Sequence, residues 1–222
     1  SDHEMFRDSL RKFIEAEVKK LQIGRTNIRG RIKARADKGY DAALSGVALD
    51  LVPLLARADT DEESSLPRIN LTTEVQTVWF DPEVPVKALK GSLSHDGEDW
   101  ETATLSGVVG KNQPFTFDLK PVADKRRFTL QAEDAGGVLA GLDIADTFRG
   151  GKLVLTADKK RGKTNPWQGS LSISDYTIVG APNLARILTL ASLTGIVNTL
   201  SGKGISFAQL NIPFSYIDGK AN

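Results

Sequence analysis

Apolar and polar residues alternate one for one along most of this chain. Ile28, Gly30, Ile32, Ala34 and Ala36 interleave with Arg29, Arg31, Lys33 and Arg35, the period-two signature of a half-buried strand. After a Lys38-Gly39 turn the segment Tyr40 to Leu51 continues as strand, and Pro53-Leu54-Leu55 reads as a short helical turn. Further alternating sets occur at Leu71, Thr73, Val75, Thr77 and Trp79, at Leu89, Gly91 and Leu93, and at Phe115, Phe117 and Leu119. Turn chemistry at Asp96-Gly97, Gly110-Lys111-Asn112 and Asp124-Lys125 separates them. Phe128 to Ala132, Leu153 to Leu155, Leu171 to Ile173, Ile205 to Phe207 and Leu210 to Ile217 complete the strands. Successive hairpins are the economical connection, which predicts one antiparallel sheet. A Gly-x-Leu-x-apolar phrase recurs at Gly151, Gly169 and, less well, Gly91, and reads as a way of starting strands.

Three stretches break the alternation. From His3 to Leu21 the residues Met5, Phe6, Leu10, Phe13, Ile14, Val18 and Leu21 recur every three or four positions, predicting an amphipathic helix over 1–22. Asp134 is an N-cap candidate for a short helix near 134–146, carried by Val138, Leu139 and Leu142 despite three glycines. From Leu184 to Leu200 apolar residues cover more than half a helical wheel, and Arg186 is the only charge between Asp175 and Lys203. This predicts a long apolar helix, short for a membrane span, which needs about 20 residues. Residues 57–65, acidic and without apolar periodicity, read as a mobile loop.

Composition narrows the function. The 222 residues carry 29 Lys+Arg against 28 Asp+Glu, a balance that argues against global attraction to nucleic acid. With 40% hydrophobic and 26% charged residues the chain is an ordinary globular one. Zero cysteines remove disulfides, thiolate metal sites and Cys nucleophiles, and two histidines, His3 and His95, leave little for metal binding or base chemistry. There is no Walker loop, no nucleophile elbow and no His-rich spacing. Asp96 and Glu98 beside His95 suggest acid–base chemistry at first sight, but Asp96-Gly97 is better explained as a hairpin turn. The expectation is a binding protein with no catalytic residues, no cofactor and no metal. The chain opens and ends abruptly, and reads as a single-domain segment, 1–222, of a larger protein.

The apolar 184–200 stretch admits several roles: it caps one end of a groove, docks on a bilayer, inserts among lipid tails, or packs as an ordinary core helix. Arg186 meets a lipid phosphate or pairs with a carboxylate such as Asp175. Arg29, Arg31, Lys33 and Arg35 share one strand face at intervals of about 6.6–7 Å. They contact anionic head groups, or stand on a solvated face opposite carboxylates. The turn cluster Lys159, Lys160, Arg161 and Lys163 reads as a soluble tip. With no aromatic interleaved before Trp167, single-strand nucleic-acid binding has little support.

The phrases Ala181-Pro182, Leu184-Ala185-Arg186, Leu190-Ala-Ser-Leu-Thr-Gly195 and Gly204-Ile-Ser-Phe207, with a closing Asp218-Gly219, resemble in order and spacing the C-terminal region of the AsmA-like proteins of Gram-negative bacteria, particularly their YhdP-type branch. The likeness covers about the last 50 residues. Asp96-Gly97-x-x-Trp100, Ala132-Glu-Asp-Ala-Gly136 and Phe148-Arg-Gly-Gly-Lys-Leu153 extend it more loosely. The resemblance implies the periplasmic part of an inner-membrane-anchored envelope protein. Its curved, groove-like β-sheet would carry phospholipid between the inner and outer membranes and support outer-membrane biogenesis. On that basis the expected fold is β-rich α+β: an open curved antiparallel sheet over 23–180, an N-terminal helix, and an apolar helix with closing strands over 181–222. The expected lipid contacts are Leu184, Ile187, Leu188, Ala191, Leu193, Ile196 and Phe207, and the expected head-group contacts Arg186, Arg29 and Arg31. The expected partner is phospholipid or another acyl lipid, with the membrane reached through the parent protein and no nucleic acid bound. The alternative is a structural adaptor docking an envelope protein through the apolar C-terminal helix.

Overall fold

The computed structural model describes residues 19–53, 55, 67–162, 165–179, 204–217 and 220–221. Twelve strands among them form one sheet in chain order. They are β1 (Lys19–Ile23), β2 (Thr26–Ala34), β3 (Tyr40–Asp50), β4 (Arg68–Trp79), β5 (Pro85–Asp96), β6 (Trp100–Val109), β7 (Gln113–Val122), β8 (Lys125–Ala132), β9 (Phe148–Lys160), β10 (Trp167–Ile178), β11 (Ile205–Ile217) and β12 (Lys220–Ala221). One short helix, α1 (Ala135–Gly141), lies between β8 and β9. The alternation of apolar and polar residues accounts for this directly, since every strand offers one face that prefers burial.

The sheet is mixed, which corrects the antiparallel expectation. β3 and β4 run parallel, with Tyr40 opposite Ile69 and Asp50 opposite Trp79. Every other neighbouring pair is antiparallel. The connection over 51–67 is long enough to return the chain to the starting end of β3, whereas tight turns such as Gly24-Arg25 permit only a hairpin. The acidic loop expected at 57–65 lies in that connection, outside the described residues.

The helical expectations fare differently. Lys19 to Leu21, the end of the helix expected over 1–22, belong to β1, whose Leu21 pairs with Ile28 across the Gly24-Arg25 turn. Leu21 fits the three- and four-residue spacing of the residues before it and, with Ile23, a period of two; ladder pairing with β2 decides between them. The remainder of that helix, and the apolar helix of 184–200, fall outside the described residues. The short middle helix forms at Ala135–Gly141, ending five residues before the expected limit. Asp134 caps it, its Oδ1 accepting the Gly137 N–H at 2.9 Å. Its glycines serve close packing. A Cβ on Gly136 would meet the Phe148 carbonyl oxygen at 2.6 Å, and one on Gly141 the Gly110 Cα at 2.8 Å, so the helix lies directly on backbone.

Gly91 and Gly169 have a similar purpose, and the Gly-x-Leu phrase does not start strands. Gly91 lies inside β5, Gly151 inside β9 and Gly169 inside β10. A Cβ on Gly91 would come 1.9 Å from the Thr104 carbonyl oxygen, and one on Gly169 2.0 Å from that of Thr156. Glycine at these points lets the neighbouring strand swing in, and such positions bend a sheet.

Candidate functional site

Ladder register collects the alternating apolar residues into rows on one face of the curved sheet. One row crosses Leu21, Ile28, Gly46, Val75 and Leu89 in the first five strands. It resumes at Ala132, Leu153, Ile173 and Leu210. Its side chains from Leu21 to Ile173 are buried in the core, together with Ala135, Val138 and Leu139 of α1. The next row runs Leu44, Thr73, Gly91, Leu105, Phe117, Leu130, Leu155, Leu171 and Ile212. These side chains are half-buried, and Ile212 is 45% exposed. Among the described residues α1 is the one helix longer than a turn, and it packs chiefly against β9, with β7 and β10 beside it and the end of β6 at Gly141. A broad apolar strip is therefore left beside the core.

Alongside the strip's middle, one row further along β5 to β8, the face deepens into a recess of about 360 Å³, lined by Leu93, Ala103, Phe117, Leu119, Phe128 and Trp167, with Asp99, Trp100, Arg126 and Lys159 at the same site. Aromatic rings form its wall: Phe117 stacks on Phe128 at 5.9 Å, and Phe128 meets Trp167 at 5.0 Å. Lys159 extends over Trp167, its Nζ 5.9 Å from the ring centroid. Arg126 is 3% exposed. Its Nη2 meets Asp99 Oδ2 at 3.0 Å, its Nη1 donates to the Trp100 carbonyl at 2.8 Å, and its buried Nε has no hydrogen-bond partner. A second aromatic run, Phe148, Tyr176 and Phe207, crosses β9 to β11 with centroids 5.3 Å apart at each step.

Phe207 is thus part of the apolar face, packed on Tyr176. Leu184, Ile187, Leu188, Ala191, Leu193, Ile196 and Arg186 lie outside the described residues. Arg29 and Arg31 stand on the opposite, polar face, because Ile28 and Gly30 between and beside them point to the apolar one. Sequence reading missed the recess: Arg126 sits in the run Lys125-Arg126-Arg127, which has the composition of an exposed turn.

The His95 group is structural. His95 is buried, edge-on to Trp100 at 5.1 Å, and its Nδ1 accepts the Gly97 N–H at 3.1 Å. Asp96 Oδ1 accepts the N–H groups of Glu98 and Asp99, each at 2.8 Å, closing the β5–β6 turn. Arg161 bridges Asp96 Oδ2 at 3.3 Å and also pairs with Glu101, which ties part of the basic cluster expected to be a soluble tip onto this turn. The N–H of Asp99, then that of Glu98, hold the Asp96 carboxyl down to about 2 from an ordinary 3.8. The folded protein therefore gains stability from Asp96 that is complete above about pH 4 and is lost as pH falls through about 2. Because the carboxylate is 28% exposed, about 1–2 kcal/mol is at stake. Asp96→Ala should flatten the acid side of a urea-midpoint profile between about pH 2 and 4; an unchanged slope would show that the turn does not hold the charge.

Among the described residues no group of three His, Asp or Glu is placed to hold a metal ion, and no helix is long and apolar enough to cross a membrane. Compared with protein-family models, curated proteins and solved structures, the chain finds no match.

Proposed function

We propose that this chain is a lipid-binding segment of an AsmA-like envelope protein and holds acyl chains on the apolar face of its sheet. In this role it supports phospholipid movement between membranes on the periplasmic side, and it works by binding, without covalent chemistry. The observation that supports the reading is the half-buried row from Leu105 through Phe117, Leu130, Leu155 and Leu171, which borders an aromatic-walled recess and shares Phe117 with it. An acyl chain laid along such a surface gains about 0.8 kcal/mol per buried methylene. Curvature suits this use, since glycine creases at Gly91 and Gly169 bend the sheet without placing side chains in the path.

The test is native mass spectrometry of the full chain, gently purified and then incubated with phosphatidylethanolamine–phosphatidylglycerol vesicles. Adducts with phospholipid masses are expected. Leu130→Asp and Leu155→Asp each place a charge on the half-buried strip, and at least a tenfold loss of adduct is expected with the β circular-dichroism spectrum retained. Absence of adducts in the unmodified chain, or adducts indifferent to both substitutions, would overturn the proposal. If both variants unfold, Leu130→Ser and Leu155→Ser, which carry no charge, give the deciding comparison.

A further inference from the structure

A second hollow lies on the other face of the sheet. About 760 Å³ in volume, it is lined by Lys20 of β1, Arg29 of β2, and Lys87 and Lys90 of β5, with Glu74 of β4 as its one carboxylate. Two bulges shape it. β3 carries an extra residue, Val47, opposite Asn27 and Ile28 of β2, and β5 carries one between Lys87 and Lys90 opposite β6. Ala88, inside that second bulge, has φ 49°. Bulges on strands that flank β4 on both sides dish the sheet between them. Gly46 lets β2 lie close against the bulge, since a Cβ there would come 2.4 Å from the Asn27 carbonyl oxygen.

Charge is what separates this hollow from the rest of the polar face. Elsewhere several cations have carboxylate partners, Arg25 with Asp50, Arg35 with Asp37, Arg127 with Asp158 and Arg161 with Asp96, and Arg31 and Lys33, which have no ion pair among the described residues, lie outside the convergence of cations in this hollow. Among the described residues Lys20, Arg29, Lys87 and Lys90 have no ion pair and no side-chain hydrogen bond. Ladder register nevertheless gathers three of them into a line, Lys20–Arg29–Ser45–Glu74–Lys90, that crosses five strands. Four cations converging on one concavity against a single carboxylate repel one another unless an anion from outside sits among them.

The geometry points to a binding site for a phosphate-class anion in this hollow, carrying two phosphate groups or presented as a cluster of phosphodiester head groups. Arg29 offers a bidentate fork and the lysines offer point charges, the combination that suits phosphate oxygens. An acidic peptide fits less well. β2 to β5 are paired on both edges, so the hollow has no free ladder groups to hold a peptide backbone. This site does not rest on the acyl-binding reading, because it faces away from the apolar strip and a water-soluble probe can fill it.

Calorimetric titration of the full chain with sodium pyrophosphate at low ionic strength tests the site. Binding is expected, weakening steeply as salt is added. Lys87→Gln/Lys90→Gln should weaken it by about tenfold or more, whereas Arg31→Gln/Lys33→Gln, the same change in charge on the same face but outside the hollow, should leave it within about twofold. A parallel arm uses sedimentation with phosphatidylcholine vesicles, with and without phosphatidylglycerol. Hollow-dependent binding of pyrophosphate assigns the site to a free solute, and hollow-dependent binding of the anionic vesicles alone assigns it to a lipid head group. Equal losses from both variant pairs, or no binding in either arm, would overturn the site.

Discussion

Gly91→Ala is expected to abolish cooperative folding or to cost more than about 4 kcal/mol, a loss few single substitutions reach. Gly91 is central to β5 and has φ 149°. Its new Cβ would sit 1.9 Å from the Thr104 carbonyl oxygen and 2.9 Å from the Leu105 Cα. Both contacts are to backbone, so no side chain can turn aside to relieve them. β5 and β6 must part, and the separation cuts across the half-buried strip where Gly91 faces Leu105. Gly169→Ala should behave alike, for its Cβ would lie 2.0 Å from the Thr156 oxygen. Gly24→Ala is the comparison. That glycine has φ 54° with open space around it, so only the backbone strain of about 1–2 kcal/mol applies. Urea denaturation followed by circular dichroism ranks the three; Gly91→Ala within about 1 kcal/mol of the unmodified protein would show that the strands do not approach as closely as described.

Arg126→Met comes second, at about 3 kcal/mol. The guanidinium is almost fully buried while Asp99 is 19% exposed at its side chain. Losing the arginine strands a carboxylate in the recess and frees the Trp100 carbonyl, and breaking such a pair from one side costs about 3–5 kcal/mol, with the low end fitting a partly hydrated Asp99. Adding Asp99→Asn to Arg126→Met should restore at least about 1 kcal/mol, since the stranded charge disappears. Denaturant midpoints of the single and double variants measure the difference. No recovery in the double variant would mean that Arg126 contributes through packing alone. The unpartnered Nε adds a second expectation: methionine removes a buried donor that has no acceptor, which also keeps the net loss toward the lower end.

Much of the sheet was readable from residue order, because side-chain period depends only on which face a residue takes. Leu71, Thr73 and Val75 announce β4, and Asp134 followed by Val138 and Leu139 announces α1. Strand direction leaves no such mark. β3 and β4 alternate identically whether they run together or opposed, so the parallel pair emerges only from the ladder. Lys19 to Ile23 illustrate a different limit, a short run whose Leu21 also continues the helical spacing upstream and which its partner strand settles. The two cavities were hidden for a further reason. Lys20 and Arg29 belong to one hairpin and Lys87 and Lys90 to a strand nearly sixty residues later, and the two pairs meet only through register and bulges. Arg126 is flanked by Lys125 and Arg127, exposed neighbours that disguise a buried charge. What did show in the sequence was the surplus of alternating apolar positions over helices able to cover them.

β11 also bears on how such a protein can be sized. Its thirteen residues meet β12 only at Tyr216 and Ile217, so among the described residues most of its outward amides and carbonyls are open to another strand. A ladder of this kind sets no upper bound on its own width: every strand joined there would broaden the greasy surface by about 4.8 Å while keeping the same pitch and the same two-sided character. The apolar area of that face would then scale with strand number, a quantity evolution can change by duplication without redesigning any individual contact.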